Sequence, residues 1–296
     1  MVSIACGDQW EVLQATNITD AQMALLQRDW ETMDFTRSFE KSLVMERNFQ
    51  FVEIEHLRTS NSPSEAVANW FGPGGGAAGS GGLRDELSAI GRELRRKAAD
   101  TVWRSVWSYE DELSALRANQ AMVEAMRRVN GDGFFKDALA DLDKGANVSN
   151  SNYSWLRKNL DTNIWSTLQE STTLTYGEIN RVLVAEVARR VAITAIGLRR
   201  YRLRHGYYPS ALSALVPEIL SQVPNDPVDG KSLRYHVSED DTFVLYSIGQ
   251  DGKDGGGDLT PVARFKTLYW LYGADSVWPK PAALKEVQNY YDHSPK

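Results

Sequence analysis

Residues 179–258 read INRVLVAEVARRVAITAIGLRRYRLRHGYYPSALSALVPEILSQVPNDPVDGKSLRYHVSEDDTFVLYSIGQDGKDGGGD, and this stretch decides the fold. Ile179, Leu183, Val187, Val191, Ala195 and Leu198 recur at steps of three or four, which lines one face of an α-helix. Arg189, Arg190, Arg199, Arg200, Arg202 and Arg204 supply a polar side. No run of about twenty uncharged apolar residues occurs here, so the pattern is not that of a membrane span. Gly206 can take the left-handed conformation that closes a helix, and Pro209 forbids its continuation. Ser210 is placed to cap a second, short helix over residues 211–216, which Pro217 ends.

The chemistry then changes. Val223-Pro224-Asn225-Asp226-Pro227 fixes φ at two prolines and carries two side chains that form turns with their own backbone. Residues 233–237 and 242–248 are rich in β-branched and aromatic side chains, and the acidic Ser238-Glu239-Asp240-Asp241 separates them. Composition and loop length predict a β-hairpin. Residues 249–258, GQDGKDGGGD, predict a loop.

The order Arg200-Tyr-Arg202, His205-Gly-Tyr-Tyr-Pro209, Leu212, Leu215, Val216, Pro224-Asn-Asp-Pro227, Gly230, Leu233-Arg-Tyr235, Leu245-Tyr-Ser-Ile-Gly249 and Asp251-Gly252 resembles the major pseudopilin of type II secretion. The resemblance covers roughly the last third of the chain. It implies a helix running into a small antiparallel sheet, with a calcium ion pinning the loop after the sheet. The chain also resembles large, mostly uncharacterised bacterial envelope proteins of planctomycete-like lineages. Those end in the same module and a Val-Trp-Pro-x-Pro tail, which is Val277-Trp278-Pro279-Lys280-Pro281 here. Two departures stand out. A pseudopilin opens with a basic leader and an apolar helix, whereas here the module follows about 175 other residues. The family's aromatic after Asp-Pro is Val228.

Outward from this stretch, the chain reads as helical scaffold. Its 296 residues suffice for one large or two ordinary domains. Apolar residues at 42% and charged residues at 24% place it among globular proteins, and a net charge of −6 argues against nucleic acid as the main partner. The single cysteine, Cys6, excludes an internal disulfide framework and Cys-rich zinc sites. It follows a small residue, as in a lipoprotein cleavage site, but without a basic n-region and apolar h-region it reads as an ordinary free thiol.

Five segments are expected: a helical segment 1–60, a Gly-rich linker 61–82, a helical scaffold 83–175, the pseudopilin-like module 176–260 and an aromatic tail 261–296. Thr19-Asp20-Ala21-Gln22 predicts a capping box, opening a helix with Met23, Leu26, Trp30 and Met33 on one face. A second helix carries Phe39, Leu43, Phe49 and Leu57. The glycine run 74–82 has neither Gly-Lys-Ser/Thr nor a preceding strand, so it is not a phosphate-binding loop. Residues 83–129 predict two helices broken near Ser108. Their core stripe is Leu87, Ile90, Leu94, Val102, Trp103, Val106, Trp107, Leu113, Leu116, Met122 and Met126. A short helix follows over 134–142, and residues 145–154 read as loop. Residues 155–168 form a weaker helical pattern that leads through Ser171-Thr172-Thr173 into the long helix. In the tail, Phe265, Tyr269, Trp270, Tyr272, Trp278, Tyr290 and Tyr291 suggest rings folded back on the scaffold or a partner surface.

No catalytic constellation emerges. His56, His205, His236 and His293 lie at no metal-ligand spacing, and His205 suits a helix C-terminus. Glu110-Asp111-Glu112 reads as a solvated helix start. The sharper candidate is calcium at Asp251, Asp254 and Asp258: hard cations take several oxygens, and glycine lets backbone carbonyls converge. The same residues also suit a turn whose Asp and Gly answer to backbone geometry alone. Asp240 and Asp241 lie at the opposite hairpin turn.

The expected architecture is α+β: a mostly helical N-terminal part and a long helix leading into a small antiparallel sheet of two or three strands. The resemblance implies a non-catalytic protein of the bacterial cell envelope. It would contact protein partners or itself, and would meet the membrane only through an anchor that this chain does not display. The alternatives are an interaction protein without a secretion role, and a hydrolase with carboxylates between scaffold and sheet.

Overall fold

The computed structural model describes residues 10–15, 17–70, 83–131, 133–148, 164–249, 251–258 and 274–281. Expectations placed on Cys6, the glycine run 74–82, residues 149–163, His293 and the tail aromatics other than Trp278 lie outside these residues. The fold is α+β. In chain order the helices are α1 (Asp20–Thr32), α2 (Phe35–Thr59), α3 (Pro63–Trp70), α4 (Leu83–Val102), a π-helical turn (Trp103–Trp107), α5 (Ser108–Asn130), α6 (Phe135–Val148) and α7 (Ile164–His205). A 3-10 turn (Leu212–Leu215) and three strands follow: β1 (Arg234–Val237), β2 (Phe243–Ser247) and β3 (Ser276–Val277). Packing gathers the chain into two compact units. One comprises Met1–Ser38, Val129–Asp137 and Ile179–Lys296; the other comprises Phe39–Arg128 and Ala138–Glu178.

The first unit is built on α7. This helix already begins at Ile164, so the Ser171-Thr172-Thr173 run is one helix with the stretch from Ile179. Ser and Thr fall short of alanine's helix propensity by only about half a kcal/mol each, too little to break a helix that contains no proline. The expected stripe is buried, and every residue from 191 to 198 is buried as well. Such a helix is a core element rather than an amphipathic surface one. Arg200 is no part of a solvated side. Buried to 8% exposure, it donates to Asp20 Oδ1 at 2.7 Å and to Gln27 Oε1 at 2.8 Å. Arg204 donates to the other oxygen of Asp20 at 2.7 Å. Burial would raise the Asp20 carboxyl, but hydrogen bonds from Arg200 and Arg204 outweigh it and hold the group below its ordinary range. These bonds dock α1 on α7. The expected capping box starts α1: Gln22 N–H donates to the Thr19 hydroxyl at 3.3 Å, and Thr19 N–H donates to Gln22 Oε1 at 2.9 Å. Met23 and Trp30 are buried, while Met33, at the C-cap, is exposed.

At the end of α7, Gly206 has φ +86° and its N–H donates to the Arg202 carbonyl at 2.8 Å. Residues 211–216 form only the 3-10 turn, because Ser210 does not cap it and its cap, Ala211, offers no side-chain acceptor. Leu215 and Leu220 pack over Gly197 of α7. The hairpin forms as expected, pairing Arg234 with Tyr246 and Val237 with Phe243. The tail adds β3, antiparallel to β2, with Tyr246 opposite Val277. Trp278 behind it is fully buried, the core reading of that residue.

The second unit packs Ile54, Leu57, Val67, Trp103 and Ala115 together. Here the structure corrects several readings. Residues 63–70, expected as linker, form α3, with Pro63 at the first helical position where its missing N–H costs nothing. Asp100 accepts from the Ser64 N–H at 3.2 Å and from its hydroxyl at 3.0 Å. The inward face of α2 is Leu43, Gln50, Ile54 and Leu57; Phe49 is exposed. The two α-helices expected over 83–129 do divide at Ser108, but a π turn joins them with no loop between. The Ser108 N–H donates five residues back to Trp103, and the extra residue of this π turn shifts the buried face. Ile90, Leu94, Val106 and Leu113 are exposed while Ala99, Trp103, Met122 and Met126 are buried. Of the acidic triplet, Asp111 and Glu112 are buried rather than solvated. Asp111 accepts from the Trp103 indole at 2.9 Å, and Glu112 pairs with Arg58, whose guanidinium lies 3.7 Å from the Tyr109 ring centroid. Helix α6 reaches Val148, so residues 145–148 are helical, not loop.

Two left-handed glycines separate conformational strain from crowding. Gly206 has open space where a Cβ would stand, whereas a Cβ on Gly249, at φ +65°, would overlap the Ala274 carbonyl oxygen. Gly206→Ala should cost about 1–2 kcal/mol, and Gly249→Ala about 2–4 kcal/mol, in urea unfolding. Equal costs would contradict the crowding at Gly249.

Candidate functional site

Among the described residues of the first unit, a dense polar cluster lies where the 224–230 turn meets β1 and the end of β2. Its centre is Asp226, which is 0% exposed. One carboxylate oxygen accepts from the Val228 N–H at 3.0 Å and the Ser247 hydroxyl at 2.8 Å. The other accepts from the Ile248 N–H at 3.0 Å and Arg234 Nη1 at 2.9 Å. The Asp226 backbone closes the turn, its N–H donating to Lys231 at 2.7 Å and its carbonyl accepting from Gly230 at 2.8 Å. The first N–H groups of α6 join the same turn: Phe135 donates to the Pro227 carbonyl at 3.1 Å and Lys136 to the Val228 carbonyl at 3.2 Å.

Arg234 ties this centre to its surroundings. Its Nη2 donates to Asp229 at 2.7 Å, and its Nε reaches Asp254 at 3.4 Å. Hydrogen bonding to Asp229 raises the guanidinium further above its ordinary range, against the pull of burial. The two aspartates respond differently. Burial pushes Asp226 up, and the four donors only partly oppose it. Burial also pushes Asp229 up, but Arg234 and the Lys231 N–H prevail and the group is lowered. Tyr246 donates to Asp254 at 3.0 Å, and burial followed by this bond pushes its phenol up to about 12.

The loop 249–258 runs beside this cluster, and the three predicted calcium ligands are not brought together in it. Asp251 accepts from the Lys253 N–H at 3.0 Å, a local Asx turn. Asp254 is engaged by the Gly256 N–H at 3.1 Å, Tyr246 and Arg234. Asp258 meets Asp275 through its backbone, its N–H donating to Oδ2 at 2.7 Å and its carbonyl accepting at 3.0 Å. Among the described residues no three His, Cys, Asp or Glu side chains group so as to hold a metal ion. Arg234 Nε reaches Asp254 at 3.4 Å, and Lys136 Nζ stands 3.5 Å from the Gly252 carbonyl. The donor set thus does not fit a calcium ion held by Asp251, Asp254 and Asp258. Asp240 and Asp241 pair elsewhere, with Lys280 and Arg202.

The residues that organise the site escaped the sequence reading of chemistry. Asp226 was visible as part of a turn, and the prolines on either side were the signal. Arg234 reads as one more strand residue, and Asp275 lies outside every motif. His205 does sit in the last turn of α7, near Glu218. No helix among the described residues is long and apolar enough to cross a membrane. No family model, curated protein or solved structure matches the chain.

Asp226→Ala leaves the Val228 and Ile248 N–H groups and the Ser247 hydroxyl without their buried acceptor, and should cost about 3–5 kcal/mol in denaturant unfolding. Asp229→Ala removes a pair nearer the surface and should cost about 1 kcal/mol. In carboxyl carbon NMR titration Asp226 should titrate above, and Asp229 below, the ordinary aspartate value of about 3.9. The signs oppose: the contribution of Asp229 is present above that value and lost as pH falls through its lowered midpoint. Ionised Asp226 counts against the fold above its raised midpoint, and protonation relieves this as pH falls. A reversed order of midpoints would refute the assignment.

Proposed function

We propose that residues 176–260 form a type II secretion pseudopilin-like module, and that the protein is a non-catalytic assembly or interaction protein of the bacterial cell envelope. The observation that carries this reading is the succession of α7, the Gly206 stop, the Asn-Asp-Pro turn, the hairpin and the Gly-Asp loop laid beside it. That order is what the sequence resemblance implies. A non-catalytic role is supported by how the buried charges are used. Asp226, Glu186 and Asp275 each receive structural donors: Glu186 takes Arg189 and Arg190, both at 2.7 Å, and Asp275 takes backbone N–H groups. A general acid or base needs an approach for substrate, and these carboxylates spend their oxygens on the fold.

The test uses the epitope-tagged gene product in its own bacterium, fractionated after cross-linking in intact cells. The expected result is recovery in the envelope fraction with cross-linked species containing the protein itself or an envelope protein. Recovery only from the cytosol, uncross-linked, would overturn the proposal and favour an interaction protein with no secretion role.

A further inference from the structure

We infer that the loop after the sheet is closed by its own chain: the Asp275 carboxylate, delivered by the tail strand, draws the loop together in place of a bound cation. The described loop residues hold no apolar side chain and several glycines, so neither packing nor propensity orders them. Hydrogen bonding does. Asp275 is 0% exposed, and its two oxygens accept from the N–H groups of Gly255 at 3.3 Å, Gly257 at 2.8 Å and Asp258 at 2.7 Å. Backbone N–H groups converging in this way form a nest, which receives negative charge.

The carboxylate is held in place from behind. Asp275 N–H donates to the Asp258 carbonyl at 3.0 Å, and the next two residues are β3. Trp278 N–H then donates to the Leu245 carbonyl at 2.8 Å, and the Trp278 side chain is buried. The strand is thus anchored on β2, and it carries Asp275 to the loop. On the other flank, Asp254 is fastened by Gly256, Tyr246 and Arg234. A divalent cation needs oxygens facing it. Here N–H groups face inward, and both Asp275 oxygens are taken up by them, so the loop turns donors rather than oxygens toward its centre. These bonds exist whichever function the module serves.

The experiment compares the full chain in EGTA with the full chain in about 1 mM calcium chloride, and adds Asp275→Asn. Thermal unfolding of the wild type should agree within about 1 °C between the two conditions, where a site of about 10 μM affinity would move it by several degrees. Amide exchange at Gly257 and Asp258 should likewise be the same with and without calcium. In Asp275→Asn, exchange at these two amides should quicken by about tenfold or more while Leu245 and Tyr246 stay protected. A calcium-dependent rise of several degrees, calcium-dependent protection of the loop, or unchanged exchange in Asp275→Asn would overturn the inference. Should Asp275→Asn fail to fold, the wild-type calcium comparison decides alone.

Discussion

The buried carboxylate of Asp226 is the constraint on which the C-terminal module depends. It joins three pieces of chain at one point: the Pro-bounded turn, β1 through Arg234, and the exit of β2 through Ser247 and Ile248. Removing a charge from water is expensive, and an ion pair alone rarely offsets that cost. Asp226 is tolerated because four donors meet its two oxygens in fixed directions. Those directions set where the turn lies against the hairpin. The turn in turn receives the first N–H groups of α6, so a segment far upstream is recruited to the same centre. Asp275 repeats the arrangement at the next loop, with β3 as its support.

Elsewhere the same device recurs with arginine at its centre. Arg200 meets Asp20 and Gln27 in the first unit, and Arg58 meets Glu112 and Ser108 in the second. Asp111 is held by the Trp103 indole beside the π turn. Pairs of this kind add little over apolar packing, because desolvation cancels much of their attraction. They do restrict geometry: a planar guanidinium bonds well only where acceptors lie in its plane. Among packed helices, whose apolar faces could slide along one another, this restriction selects among registers.

Local pattern was legible where one face of an element is buried and its period is clean. The capping box at Thr19, the buried stripe of α7, the Gly206 stop and the hairpin all follow from residues within a few positions of one another. The pattern misled where a clean helical period did not mark the buried face. Ile90 and Leu94 are exposed though their spacing suits a core stripe, while Ala99 and Trp103 of the same continuous helix face inward. It misled again over charge. Glu110-Asp111-Glu112 looks solvated by composition, yet Arg58 and Trp103, distant or differently faced in sequence, supply the partners that let Asp111 and Glu112 be buried. At the candidate site, Asp251 and Asp254 share a short loop with Asp258 but turn their carboxylates to separate donors, since proximity in sequence sets reach and not direction.

The sequence by itself determined the elements and their order: long helix, glycine stop, proline-bounded turn, hairpin and glycine-rich loop. Helical and strand periodicity, capping and proline sterics are local, and they act before any long-range contact exists. Only the tertiary structure decided what holds these elements together. Asp226 becomes a centre because Ser247, Ile248 and Arg234 arrive around it, and Asp275 becomes a clamp because β3 pairs with β2. A buried carboxylate is defined by its donors, and donors from remote parts of a chain leave no period, spacing or composition by which to be read.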